Sequence, residues 1–204
     1  MALPGLAGFV DATGFLAAGG YFTSFMSGNT TRLGVDLATN PMAAAIPAGL
    51  IAGFVLGVIL GALVAERWPA RRKSAVLLLV VALLGLSAVA RMLSVEVFLG
   101  ASVIAMGALN NVFRRNGEVA IGITYMTGAL VRFGQGVADR LMGRTSEGRL
   151  GAGALWFGLA AGSVTGALAF ARFPQQTPFI AALFAAAMLI VANRIERCAS
   201  QASI

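Results

Sequence analysis

Two short motifs, 100 residues apart, carry most of the residues that could bind a solute. The first, FMSGNTTRLG, covers residues 25–34, and the second, YMTGALVRFG, covers residues 125–134. Four of the ten positions are identical, and three more are chemically similar, as where Ser27 matches Thr127. We call these segments the twin motifs. A motif repeated in this way predicts a site built from two related halves.

Each twin motif interrupts an apolar run, so it predicts a broken helix that resumes with Ser27, Asn29 or Thr127 as its N-cap. The start of a helix favours negative charge, because its free N–H groups and its dipole point at the ligand. Hydroxyl and guanidinium groups would add hydrogen bonds. We therefore predict a site for a small, anionic solute with these substrate-binding residues: Ser27, Gly28, Asn29, Thr30, Arg32, Tyr125, Thr127, Gly128 and Arg132.

The twin motifs also allow a simpler interpretation, in which they are ordinary helix ends near the membrane surface. Ser-Gly-Asn is a common composition for caps and turns. Arg32 and Arg132 would then extend to the lipid headgroups and bind no ligand.

Asp11 lies in the apolar stretch GFVDATGF, residues 8–15. A carboxylate inside a membrane span is costly and predicts a functional group that faces a partner or a cavity. At the same offset of 100 its counterpart is Asn111, next to Asn110. We predict that Asp11, Asn110 and Asn111 bind a cation or carry a coupling proton. The structural alternative is a hydrogen bond between helices, or an ion pair of Asp11 with one of three arginines: Arg32, Arg114 or Arg132.

The composition is that of an integral membrane protein. Of the 204 residues, 58% are hydrophobic and only 11% are charged, whereas an ordinary globular domain has about a quarter charged residues. The net charge of +7 does not predict nucleic-acid binding, because most basic residues lie in short connections between apolar runs. The chain lacks His and has one cysteine, Cys198, so we expect no enzyme, metal site or cofactor.

Six apolar segments are long enough to cross a bilayer, which needs about 20 residues each. They cover residues 3–24, 42–65, 75–93, 96–113, 151–171 and 178–195. With both termini in the cytoplasm, 12 of the 15 basic residues fall on the cytoplasmic side. The positive-inside rule therefore predicts this orientation.

A second repeat shows that the chain contains two copies of a three-helix unit. GVILGALVAERWP, residues 57–69, matches GSVTGALAFARFP, residues 162–174, at six identical positions. We predict an all-α protein with six transmembrane helices in two repeats, residues 1–93 and 94–204, the first helix of each being discontinuous. A unit with three spans ends on the opposite side of the membrane from its start. The second copy therefore begins on that opposite side and is inverted relative to the first, as in many secondary transporters.

Two glycine ladders predict close helix packing. Gly49, Gly53, Gly57 and Gly61 recur every four residues in the second segment, and the fifth repeats the pattern. Such a face lets helix backbones approach closely. We expect the second and fifth segments to pack on each other within one chain. The alternative is a homodimer contact, which the sequence allows but does not require.

Four ordered motifs, GFVDATGF, FTSFMSGNT, MGALNNVFRR and TYMTGAL, resemble the YoaK-like family of small bacterial membrane proteins of unknown function. The resemblance covers most of the chain and implies a six-helix protein of the inner membrane, but no substrate. This sequence has Leu109 where the family is expected to have Gln, and Ala129 where it is expected to have Thr. Either departure would alter binding if those positions contact a ligand.

The predicted function is a secondary transporter or facilitator for a small, anionic solute at a site between the two repeats. Its expected partners are the lipid bilayer and the solute or ion, with no nucleic acid. Two rivals remain open at this point. One is a channel or pore without coupling, and the other is a structural or regulatory membrane protein whose repeats enclose no cavity.

Overall fold

The computed structural model describes residues 2–115, 118–119, 126–145 and 149–201. Eight α-helices make up nearly all of this part of the chain. They are α1 (Ala2–Ala17), α2 (Met26–Thr39), α3 (Ala45–Arg67), α4 (Arg72–Ala90), α5 (Val95–Leu109), α6 (Met126–Leu141), α7 (Gly151–Arg172) and α8 (Thr177–Gln201). A short 3-10 helix, Pro69–Arg71, precedes α4, and a two-residue antiparallel pair, β1 (Arg114–Arg115) and β2 (Glu118–Val119), follows α5.

Four helical segments are long and apolar enough to span a membrane. They are Ala45–Arg67, Pro69–Ala90, Gly151–Arg172 and Thr177–Cys198. Large apolar side chains on their outer faces remain open to the surroundings, as at Leu63 (62% exposed) and Leu183 (70% exposed). A soluble protein rarely exposes continuous apolar surface of this kind, so these faces fit contact with lipid. The structure thus describes a helical, multi-pass membrane protein.

The first predicted span, residues 3–24, is two separate structures. Helix α1 ends at Ala17, and α2 begins only at Met26. Between them lies the α1–α2 loop, residues 18–25, in which Gly19 and Gly20 have φ angles of 66° and 100°. Side chains other than glycine rarely adopt such positive angles, so these two glycines end the helix. The fourth predicted span is likewise shorter, because α5 ends at Leu109.

Helix α3 packs on α5 through glycine. A methyl group added at Gly57 would lie 2.1 Å from the carbonyl oxygen of Ile104, and one added at Gly107 would lie 2.2 Å from that of Phe54. These distances are far below van der Waals contact, so the backbones touch directly. We call this contact the α3–α5 seam.

Helix α7 packs on α1 in the same manner, and we call this contact the α1–α7 seam. A methyl group at Gly162 would lie 2.0 Å from the carbonyl oxygen of Gly5, and one at Gly8 would lie 2.1 Å from that of Leu159. The prediction that α3 and α7 pack on each other is therefore wrong, although both glycine ladders do pack within the chain. A glycine face accepts any close backbone, so the ladders alone do not specify their partners.

Helix α4 completes the core by packing on α5 and α8. Its buried apolar residues, such as Val80 and Leu84, join those of α1, α5 and α8 in one cluster. A buried polar contact accompanies them, since the Ser87 and Ser102 hydroxyl oxygens lie 2.7 Å apart. This core holds α1 and α5 in place beside the glycine seams.

Candidate functional site

Asp11 binds the α1–α2 loop directly. Its carboxylate oxygen Oδ1 accepts hydrogen bonds from the backbone N–H groups of Thr23 (2.7 Å) and Ser24 (2.8 Å) and from the Thr23 hydroxyl (3.2 Å). Its other oxygen, Oδ2, accepts from the Ser24 hydroxyl at 3.0 Å. Among the described residues no arginine forms an ion pair with Asp11. The carboxylate therefore fixes the backbone just before α2.

Asn29 holds the same loop from the other side. Its side-chain oxygen accepts from the Phe22 N–H at 3.0 Å, and its amide nitrogen donates to the Phe22 carbonyl oxygen at 2.7 Å. Asn29 is fully buried. No side chain caps the start of α2, so Asn29 and Asp11 replace the N-cap expected from the sequence.

The twin motifs meet at one cavity of about 220 Å³, which we call the motif cavity. Its lining comprises Ser24, Phe25, Met26, Ser27, Phe54, Met126, Thr127 and Gly128. Three of the predicted substrate-binding residues are therefore brought together there: Ser27, Thr127 and Gly128. Phe54 is the tenth of the 23 residues of α3, so the cavity lies near the middle of that helix.

Among the described residues, none of those that line the motif cavity carries a charge. Several N–H groups in the first turn of α2 are already used, because the Phe25 carbonyl oxygen accepts from both Gly28 and Asn29. The cavity thus offers hydroxyl groups, two helix starts and a largely apolar wall.

Arg32 lies outside the motif cavity. Its guanidinium carbon is 4.6 Å from the centre of the Tyr21 ring, and its Nε atom is buried without a hydrogen-bond partner. Arg132 is exposed on α6 and does not line the cavity either. The structure therefore separates both arginines from the other twin-motif residues.

The remaining twin-motif residues have local roles. A methyl group at Gly28 would lie 2.5 Å from the Phe25 ring, so Gly28 makes room for that side chain. The Thr30 hydroxyl donates to the Met26 carbonyl oxygen at 2.9 Å, within α2. Tyr125 lies outside the described residues, so its predicted place on the wall stays a prediction.

The two asparagines after α5 also make contacts within the protein. Asn110 donates to the Met106 carbonyl oxygen at 3.0 Å. Asn111 donates to the Val58 carbonyl oxygen at 3.1 Å and so ties the end of α5 to α3. Both are buried, and neither lines the motif cavity.

Asp11 also lines an open cleft of about 450 Å³ beside α7. The other lining residues are Ala12, Phe15, Leu16, Phe22, Ser163, Val164 and Ala167. Because Ser24 lines the motif cavity and is bound to Asp11, the carboxylate lies between the cleft and the cavity. No group of three or more metal-ligating side chains occurs in the described ranges.

Sequence reasoning missed several lining residues. Met26 and Met126 are identical positions of the twin motifs, so the repeat itself carried a signal for them. Phe54 has no such signal, because it lies on another helix whose approach depends on the α3–α5 seam.

Together, the long apolar helices and the broken first segment define a multi-pass helical membrane protein. The chain belongs to the family described as protein of unknown function DUF1275, which it matches over residues 1–191. A relative from Rhizobium meliloti (strain 1021), the UPF0700 transmembrane protein RA0705, is 35% identical over 193 residues, covering 94% of this chain and 84% of the relative. These similarities confirm the resemblance to a membrane family of unknown function. No solved structure matches the chain.

Proposed function

We propose that this protein is a secondary transporter or facilitator for a small solute that occupies the motif cavity. The observation that carries the proposal is the meeting of the twin motifs at one cavity beside the middle of α3. Broken helices at membrane depth are tolerated where protein buries them or where they line a wet cavity. A solute site between two halves of a chain is also typical of secondary transporters.

The proposed architecture is two inverted repeats, α1–α4 and α5–α8. The two seams support this architecture, since the closest glycine contacts of the α3–α5 seam have counterparts in the α1–α7 seam. Gly57 against Ile104 corresponds to Gly162 against Gly5. Likewise Gly107 against Phe54 corresponds to Gly8 against Leu159.

This correspondence also shifts the expected register between the first helices of the repeats. Gly8 and Gly107 are 99 residues apart, as are Gly5 and Ile104. On this register the counterpart of Asp11 is Asn110, where the sequence comparison at an offset of 100 gave Asn111.

The solute is small and carries at most one negative charge. A cavity of about 220 Å³ excludes large solutes. No described residue of its lining is cationic, and burying more than one uncompensated charge would be costly. The starts of α2 and α6 favour a monovalent anion over a cation.

Asp11 is the proposed coupling residue. Its carboxylate holds Thr23 and Ser24 by four hydrogen bonds, and it borders the open cleft. Protonation would remove its negative charge and weaken those bonds, so a proton entering from the cleft would alter the wall of the motif cavity. We further propose that both termini are cytoplasmic, on the positive-inside bias, and that the membrane is the bacterial inner membrane, as the family resemblance implies.

Single-cysteine labelling tests the proposal without knowledge of the substrate. In a Cys198→Ser background, Ser27→Cys and Thr127→Cys place one thiol each at the motif cavity. A small, charged, membrane-impermeant thiol reagent reacts only where water reaches. We expect both positions to be labelled in membrane vesicles, and the control Leu183→Cys on the outer face of α8 to stay unlabelled.

The side of the membrane from which the reagent reacts distinguishes a transporter from a channel. A transporter exposes the two positions to one side at a time, and Asp11→Asn should change which side that is. Labelling from both sides at once would indicate a channel. The absence of labelling at both positions, in vesicles where a loop cysteine reacts, would contradict a solute pathway and favour a structural protein.

A further inference from the structure

A groove between the ends of α3, α4 and α8 shares no lining residue with the motif cavity. Its volume is about 560 Å³. It is lined by Val64, Trp68, Arg71, Ser74, Ala75, Leu78, Leu79, Ala82, Leu189 and Asn193. We call it the α4 groove.

The α4 groove has a polar mouth and an apolar floor. Trp68, Arg71 and Asn193 are at the mouth, where α3 ends and α4 begins. Leu78 and Ala82 follow one and two turns deeper along α4. From Ser74 to Ala82 the groove extends by about 12 Å, since a helix rises about 1.5 Å per residue. Polarity therefore decreases along a predicted membrane span, in the same order as it decreases from the headgroup of a lipid to its acyl chains.

The polar groups at the mouth have unused bonding capacity. Arg71 is exposed, and within the described part of the chain its side chain forms neither an ion pair nor a hydrogen bond. The Asn193 amide is half-buried and likewise has no hydrogen-bond partner among the described residues. Groups of this kind at the edge of a membrane span fit the phosphate and glycerol of a lipid headgroup.

The charge around the mouth is positive. Arg67 lies over the Trp68 ring at 5.6 Å, and Arg197 is one helical turn beyond Asn193 on α8. The nearby carboxylate of Glu196 is directed elsewhere, because it accepts from the Lys73 N–H (2.8 Å) and from the Ser74 N–H and hydroxyl. It occupies the start of α4 and leaves Arg71 without an acidic partner.

We propose that the α4 groove binds an anionic glycerophospholipid. The lipid phosphate would contact Arg71 and Asn193 while one acyl chain lies along Leu78, Ala82 and Leu189. Tryptophan is typical of this depth, where an apolar ring meets the headgroup region. The lipid comes from the leaflet next to the Pro69–Arg71 helix. This site is independent of the proposed transport function, so either proposal could fail without the other.

Trp68 provides a direct measurement. The chain has two tryptophans, so Trp156→Phe leaves Trp68 as the only indole. Acyl chains that carry bromine quench a neighbouring indole, and mixtures of brominated and ordinary lipid report which lipid occupies the groove. Phosphatidylglycerol and phosphatidylcholine with the same acyl chains are compared, so that only the headgroup charge differs.

We expect Trp68 to favour phosphatidylglycerol about fivefold, because a basic side chain near an anionic lipid is worth about 1 kcal/mol. Arg71→Gln should abolish the preference, while Arg71→Lys should keep most of it and so exclude misfolding. Arg172→Gln, at the end of α7, is the matched control and should change nothing. A preference that survives in Arg71→Gln would overturn the proposal, as would equal binding of the two lipids.

Two other occupants have distinct outcomes. If a second copy of the chain covers the groove, neither brominated lipid quenches Trp68, and the proposal fails. If the mouth binds free phosphate and no lipid, Trp68 shows no headgroup preference, while an excess of inorganic phosphate shifts the Trp68 emission at an ionic strength where chloride does not. That result would also overturn the lipid assignment.

Discussion

Helices α2 and α6 begin with the same motif, but the described polar contacts that hold them lie at opposite ends. Helix α2 is fixed at its start, where Asp11 and Asn29 bind the loop before it. Helix α6 is held at its middle, where Phe133 packs against Gly153, and near its end, where Asp139 forms an ion pair with Arg149. Asn29 and its counterpart Ala129 differ within the repeat, and Asp11 and Asp139 lie outside it. The residues that the motifs share therefore place the helix starts but do not make these polar contacts.

This difference places the polar contacts of the two helices at different distances from the motif cavity. The hydrogen bonds of Asn29 lie within one turn of the lining residues of α2, whereas the ion pair of Asp139 lies about three turns from Gly128 on α6. Among the described residues, the polar contacts of α2 thus lie nearer to the cavity than the ion pair of α6 does. Each of the following predictions tests the contrast, from the largest expected effect to the smallest.

Asp11→Ala should have the largest effect. It removes four hydrogen bonds and leaves the Thr23 and Ser24 N–H groups without their acceptor, so we expect a loss of about 3 kcal/mol in the free energy of unfolding. Denaturant unfolding in detergent measures this quantity. Asp139→Ala is the matched change on α6, and a loss as large as that of Asp11→Ala would contradict the contrast.

Asn29→Ala should cost about 2 kcal/mol, because both hydrogen bonds to Phe22 are lost from a fully buried side chain. Its neighbour Thr30 provides the control, since its exposed hydroxyl bonds only within α2. Thr30→Ala should change stability by less than about 0.5 kcal/mol. Equal effects of the two substitutions in the same unfolding assay would show that the loop is not held by Asn29.

Gly28→Ala and Gly128→Ala should have opposite signs, although they change the same motif position. The added methyl group at Gly28 would lie 2.5 Å from the Phe25 ring, while at Gly128 no described atom lies within 4 Å. At Gly28 we expect crowding to outweigh the gain in helix propensity and to leave a net loss of about 1 kcal/mol. Gly128→Ala should gain about 0.8 kcal/mol from helix propensity. Thermal unfolding midpoints would check both, and changes of the same sign in the two midpoints would contradict the prediction.

The smallest effect concerns the ion pair on α6. Because the Arg149 side chain is 43% exposed, its coupling with Asp139 should be below about 1 kcal/mol. A double-mutant cycle with Asp139→Asn and Arg149→Gln isolates this energy. A coupling of several kcal/mol would show that α6 is as firmly held as α2.

The sequence predicted the elements better than it predicted their contacts. Apolar length and glycine are local signals, so the long spans and the break near Gly19 and Gly20 could be predicted. The partners of the glycine ladders could not, because a ladder on one helix does not identify the backbone that approaches it. For the same reason the sequence did not predict that Phe54 lines the motif cavity.

Single polar residues were the hardest to interpret. A carboxylate in an apolar run predicted a cavity or an ion, and Asp11 does border a cleft, but its four hydrogen bonds depend on a loop that folds back over 12 residues. Arg32 and Arg132 looked equivalent in the repeat. The packing of Arg32 on Tyr21 follows from the shape of the α1–α2 loop, which no helical periodicity describes.

The two seams have a consequence for how the protein is made. Helix α3 ends at Arg67, yet the backbone against which its glycines pack belongs to α5, which begins at Val95. During synthesis α3 must therefore remain in the membrane with its glycine face unpacked until the ribosome has produced most of α5. The last long helices complete the arrangement, because α1 finds its own partner only when α7 arrives. A chain that stops at its midpoint would contain two of the four long apolar spans and neither of the two seams.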